Sequence, residues 1–137
     1  MIILDASIIL KMIFEEQDTL LALQLREKHI TAEDKIAAPE LLYYELANVL
    51  ATKVPISVKN ASSVLTEIFN LEFMTFTLGE EEFLTSISAS RKYKISIYDA
   101  SYVILAERLS CDFITADMKL FKKTKDLKFV KLLGNTV

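Results

Sequence analysis

Short apolar runs alternate with longer stretches of helical periodicity from one end of the chain to the other. Met1-Ile2-Ile3-Leu4 is apolar without a break, as a strand covered on both faces must be. Asp5-Ala6-Ser7 ends it and starts a helix, with Ile8, Ile9, Met12 and Ile13 as its apolar face. After the acidic break from Glu15 to Asp18, residues 19–29 form a second helical stretch, with Leu20, Leu21, Leu23 and Leu25 as core contacts. His29 near its end suits the helix dipole and has no nucleophile beside it in sequence, so its expected role is structural or at the surface.

A short strand over residues 35–39 stops at Pro39, which is expected to open a helix reaching about Lys53. Leu42, Leu46 and Val49 form its stripe, and Glu45 lies beside that stripe. Asn48, three residues on, is placed to orient Glu45 by hydrogen bonding. Beyond Pro55, Ser57 caps a helix over residues 58–70, and residues 73–77 form a third strand. Glu80, Glu81 and Glu82 after Gly79 suit a helix N-terminus, with Phe83, Leu84 and Ile87 carrying that helix toward Tyr93. A helix then starts at Asp99, with Ala100, Val103, Ile104 and Glu107 at helical spacing. Residues 112–115 form a fourth strand, residues 117–123 a short helix, and residues 129–133 a last strand. Lys131 inside that strand marks it for a sheet edge.

Alternation of this kind predicts an α/β fold, a three-layer α/β/α sandwich around a mostly parallel sheet. The 137 residues suit one domain, 1–137, with no linker, repeat or low-complexity segment. Just over half the residues are apolar, which excludes a disordered chain. No apolar run reaches the roughly 18 residues of a membrane span. The N-terminus carries no basic region and no small-residue cleavage site, so no signal peptide is expected. Cys111 is the only cysteine, so no internal disulfide forms, and a cytoplasmic protein is the expectation. One Cys and one His exclude the usual zinc sites, and two glycines leave no phosphate loop or dinucleotide fingerprint.

Charge is uneven. Residues 1–82 carry 14 acidic and 6 basic residues, residues 83–137 carry 5 and 10. The basic part, with Lys119, Lys122 and Lys123, is either a solvated surface or a footprint for a polyanion such as RNA.

Asp5 and Asp117 follow strands, Asp99 starts a helix and Glu45 lies about one turn into another. In a parallel sheet with short loops all four reach the carboxyl edge, where ligands bind. Gathered like charges repel unless a cation neutralises them. Hard divalent ions take oxygen ligands, and a bound ion polarises phosphates and supplies hydroxide at neutral pH. Each aspartate also suits a helix cap, so both readings stay open for Asp5, Asp99 and Asp117. Glu45, inside its helix, is no cap. The Thr115 hydroxyl is positioned to bond a neighbouring carboxylate or the Asp117 turn.

Ile3 to Ser7, Ala38 to Asn48, Tyr98 to Glu107 and Ile114 to Asp117, in that order, make the chain similar to the PIN domain family, and within it to VapC-type toxins of type II toxin–antitoxin pairs. The resemblance spans nearly the whole chain. It implies a Mg²⁺- or Mn²⁺-dependent endoribonuclease with Asp5, Glu45, Asp99 and Asp117 as its acids. Asp5 and Asp99 would be direct ligands, with Asp117 and Glu45 binding directly or through water. Ser7 and Thr115 fall on supporting hydroxyl positions, and Asn48 on a polar one. RNA as substrate, a cognate antitoxin and a homodimer are implied as partners, with no membrane. Many members carry an acid two positions after the last aspartate, where this chain has Lys119. One firmly held ion is therefore expected, with a second only alongside RNA. Lys119, Lys122 and Lys123 would hold the RNA backbone, which gives affinity without reading sequence. A silent binding module and an RNA-processing nuclease of the same fold are the alternatives. A haloacid-dehalogenase-like phosphatase fits poorly, since Asp5-Ala6-Ser7 lacks the second aspartate.

Overall fold

A computed structural model of the chain describes residues 1–135. The strands are β1 (Ile2–Leu4), β2 (Ile36–Pro39), β3 (Met74–Phe76), β4 (Asp112–Thr115) and β5 (Val130–Leu132). The helices are α1 (Ala6–Ile13), α2 (Thr19–Ile30), α3 (Leu41–Thr52), α4 (Val58–Phe69), α5 (Glu80–Tyr93), α6 (Ile97–Leu109) and α7 (Met118–Lys123). The strands form one sheet in the order β3-β2-β1-β4-β5, and all four ladders are parallel. Helices between the strands cover it in a three-layer α/β/α arrangement, as the alternation predicted.

Ile2, Ile3 and Leu4 are all buried, so β1 is apolar on both faces because both are covered. β5 lies at one edge and β3 at the other. β3 is largely exposed, in keeping with that position. Register places the site. Leu4 pairs with Ile114, and Ile3 with both Ala37 and Phe113. Asp5 therefore stands level with Thr115 on one side and with Pro39 on the other. In this strand order the chain changes direction across the sheet between β1 and β4. That is the crevice where open parallel sheets bind ligands.

α6 is buried from Ala100 to Ala106 and packs on β1, β2 and β4. A helix apolar on nearly all sides needs cover on all sides, and α5 supplies the outer part. That contact corrects one expectation. In α5 the buried residues are small, Ser86 and Ala89, while Phe83, Leu84 and Ile87 stay about half exposed. Small residues let the two helices approach closely, which leaves the large ones on the outer side.

Other differences are local. The α3 stripe closes on Leu50 rather than Val49, following Leu42 and Leu46 at every fourth position. Pro39 ends β2 instead of opening α3. Leu20 is exposed, and α2 buries Ala22 and His29 instead. His29 is structural and not at the surface. The Ile36 backbone N–H donates to its Nδ1 at 3.0 Å, and its Nε2 meets the Leu71 carbonyl at 2.6 Å. The imidazole thus ties the end of α2 to the start of β2 and the turn before β3.

Candidate active site

Asp5 is the N-cap of α1 and accepts a hydrogen bond from the Ser7 backbone N–H at 3.1 Å. It is more than a cap. The Ser7 hydroxyl also donates to Oδ1, and the Thr115 hydroxyl donates to Oδ2 at 2.5 Å. Both carboxylate oxygens are therefore held. The holders are held in turn, since Ser7 Oγ accepts from the Ala116 N–H and Thr115 Oγ1 from the Asp117 N–H, each at 3.0 Å. These bonds lock the end of β1 to the end of β4. Asp5 is only 7 % exposed, and no cation pairs with it among the described residues. Burial pushes its pKa up to about 6, against the lowering effect of the two hydroxyls, and the Asp99 charge adds to the rise.

Glu45 lies on α3, one turn and more beyond the end of β2, and is half-buried. Its Oε1 accepts from the hydroxyl of Tyr102 at 2.6 Å. Burial raises its pKa to about 7, the tyrosine bond lowers it, and the charges of Asp5 and Asp99 raise it further. Asn48, expected to orient Glu45, is exposed, and its side chain makes no hydrogen bond to Glu45 among the described residues. The orienting group is Tyr102, which sequence reasoning missed. The signal was a tyrosine amid Ala, Val, Ile and Leu, because a buried phenol needs a partner for its hydroxyl.

Asp99 is the third residue of α6, not its cap. Ser96 caps the helix, accepting from the Asp99 N–H at 3.0 Å. The Asp99 carboxylate is thus free of capping. Its pKa is raised by partial burial and then by the charge of Asp117, while Ser96 and Lys123 pull it down. Asp117 is exposed and caps α7, accepting from the Leu120 N–H at 3.1 Å.

The charges of Asp5, Glu45 and Asp99 are thus coupled at the carboxyl edge, and the charge of Asp117 reaches Asp99. No three His, Cys, Asp or Glu side chains among the described residues stand in a ligating arrangement. The donor set still fits a hard divalent cation in kind and in charge. It is all oxygen, and the cost of ionising it falls when a cation is near. Lys123 is the candidate lysine whose charge reaches this edge. Its Nζ donates to the Lys94 carbonyl at 3.0 Å, and its charge acts on Asp99. Lys119 and Lys122 are exposed on α7. Beside the acids, Leu41, Tyr44, Glu45, Asn48 and Tyr98 line an open cavity of about 440 Å³.

Comparison with known proteins agrees with this fold. The PIN domain family model matches residues 2–127. PAE2754 from Pyrobaculum aerophilum is similar in structure, with a TM-score of 0.70, 23% identity, and 97% of this chain and 83% of that one covered. A toxin–antitoxin complex from Klebsiella pneumoniae has a TM-score of 0.70 at 15% identity, covering 95% of each chain. FitAB bound to an IR36 DNA fragment has a TM-score of 0.69 at 16% identity, covering 96% of this chain and 93% of that one. No curated protein matches the sequence.

Proposed function

Since the chain belongs to the PIN domain family, we propose that it is a Mg²⁺- or Mn²⁺-dependent endoribonuclease, the toxin of a VapBC-type toxin–antitoxin pair. The observation that carries the reading is Asp5. A carboxylate this buried, held by two hydroxyls, within reach of the charges of Asp99 and Glu45 and without a cationic partner among the described residues, is costly to keep for stability alone. Asp5, Asp99 and Asp117 would hold the ion, with Glu45 beside them. A divalent ion bound there supplies charge stabilisation for the phosphodiester and lowers the pKa of water.

The protein's own groups have separate tasks. Ser7 and Thr115 fix both oxygens of Asp5, so its position is set before any ligand arrives. Glu45, with a pKa near 7, can take up or release a proton near neutral pH, which suits a general base. Asp99, free of capping, can turn its carboxylate toward a ligand. Lys123 offers its ammonium to a flanking phosphate, and Lys119 and Lys122 extend that positive surface along α7.

The name of the Klebsiella complex favours a protein antitoxin as partner. A basic side chain from such a partner would pair well with the acidic edge. A second copy of the chain is proposed against the apolar surface that Tyr44, Phe83 and Tyr98 expose beside the site.

The test is cleavage of a mixed single-stranded RNA pool with Mn²⁺, comparing wild type and Asp99→Asn purified in parallel. Metal-dependent cleavage that disappears in the variant is expected. Equal cleavage by both proteins would contradict the assignment.

A further inference from the structure

Tyr102 is fully buried, yet its hydroxyl is bonded to an acid of the candidate site. It sits on α6 three residues after Asp99, so both lie on one side of that helix. Its ring stacks on Phe113 of β4, with centroids 5.5 Å apart and planes 15° from parallel. Phe113 is itself fully buried and pairs with Ile3 in the middle of the sheet. A phenol has two side-chain torsions, and packing fixes both here, so the sheet sets where the hydroxyl stands. Glu45 comes from another helix, 57 residues earlier, on a side chain with three torsions. Of the two partners, the tyrosine is the rigid one.

We infer that Tyr102 is a positioning residue for Glu45, holding Oε1 so that Oε2 stays available to the acidic edge. Among the described residues Oε2 has no hydrogen-bond donor. One oxygen is thus committed and the other is open, the division a metal-binding or proton-accepting carboxylate needs. The hydroxyl donates to the ionised carboxylate, because an ionised carboxylate can only accept. The role rests on the reading of the four carboxylates as a cation site. It goes beyond that reading in naming what aims Glu45, an acid that no helix cap, serine or threonine holds.

The test uses wild type, Tyr102→Phe, Glu45→Gln and the double variant. Three readouts are taken on each: the Mn²⁺ dissociation constant, the metal-free melting temperature, and a metal-free crystal structure. Tyr102→Phe removes one oxygen and keeps the ring. It is expected to raise the Mn²⁺ dissociation constant about tenfold, the lower end for loss of a group that orients a ligand. On the Glu45→Gln background it should add almost nothing, because the acid it acts through is gone. A lower melting temperature with unchanged Mn²⁺ affinity would make Tyr102 a structural bond only, and overturn the inference. Equal effects on both backgrounds would also overturn it. If the wild type binds no Mn²⁺, the cation reading fails and the crystal structures decide. A Glu45 side chain displaced or spread in Tyr102→Phe supports positioning, and one left in place refutes it.

Discussion

Asp5 and Asp117 follow the ends of neighbouring parallel strands, β1 and β4, and each caps the helix that comes next. By local grammar they are the same residue used twice. Their surroundings differ. Asp5 is buried, both its oxygens are held by hydroxyls from two chain segments, and burial lifts its pKa to about 6. Asp117 is exposed and accepts one backbone N–H from its own helix. Capping is a local property that any exposed aspartate can supply, worth about 1 kcal/mol. Burying a carboxylate without a cation opposes folding, and the hydroxyl hydrogen bonds offset that cost only in part, since the pKa stays raised. On the proposed reading, that difference gives Asp5 more of the functional weight than Asp117.

The widest separation is expected with metal. At a Mn²⁺ concentration about 100 times its dissociation constant, binding should stabilise the wild type by about 2.7 kcal/mol. Asp5→Asn should lose that gain and yet be no less stable than wild type without metal at about pH 7.5, where the buried Asp5 carboxylate is ionised. Asparagine keeps an oxygen for one hydroxyl, and its amide can donate to the other. A large fall in metal-free stability, read by urea unfolding, would make Asp5 a structural cap. Asp99→Asn should behave alike, with metal binding abolished and the fold near wild type, because Ser96 and not Asp99 caps α6.

The pH profile follows. Asp5 rises from 3.8 to about 6 on folding, and Glu45 from 4.5 to about 7. Between those limits the folded chain holds more protons than the unfolded one, so these groups make metal-free stability fall as pH rises from about 4 to about 7. Melting temperatures across that range should fall less steeply in the Asp5→Asn, Glu45→Gln double variant. An unchanged slope would mean that neither acid is strained.

Asp117 gives a smaller effect. Asp117→Ala should cost about 1 kcal/mol by loss of the cap, while Asp117→Asn should cost little because asparagine caps as well. If Asp117→Asn nevertheless weakens Mn²⁺ binding, Asp117 is a ligand as well as a cap. The smallest change is expected at α7. Replacing Lys122 and Lys123 by Ala should flatten the salt dependence of RNA binding by about 0.7 in log–log slope for each phosphate no longer neutralised. An unaltered slope would remove those lysines from the footprint.

β1 and β2 were legible because each is a short apolar run covered on both faces, with Ile2-Ile3-Leu4 as the clearest case. The acids that gather at the carboxyl edge were legible from the strand ends and from a glutamate inside a helix. What escaped was set by partners distant in sequence. In α5, which packs on α6, Ser86 and Ala89 are the buried residues while Phe83, Leu84 and Ile87 stay about half exposed, and no periodicity shows that a neighbour needs small residues. Tyr102 reaches Glu45 across 57 residues, while Asn48, the sequence neighbour, is exposed. Ser96 caps α6 where Asp99 was expected to start it. In each case an interaction fixed by packing replaced one suggested by adjacency.

The central claim is that Asp5, Glu45, Asp99 and Asp117 serve one divalent cation. Calorimetric titration of the metal-free protein with Mn²⁺ tests it most directly, with wild type and Asp5→Asn run side by side at about pH 7.5, above the raised carboxyl pKa values. One site in the wild type, absent in the variant while its melting curve stays cooperative, is the expected result. Equal Mn²⁺ binding by both proteins, or none by either, would contradict the claim.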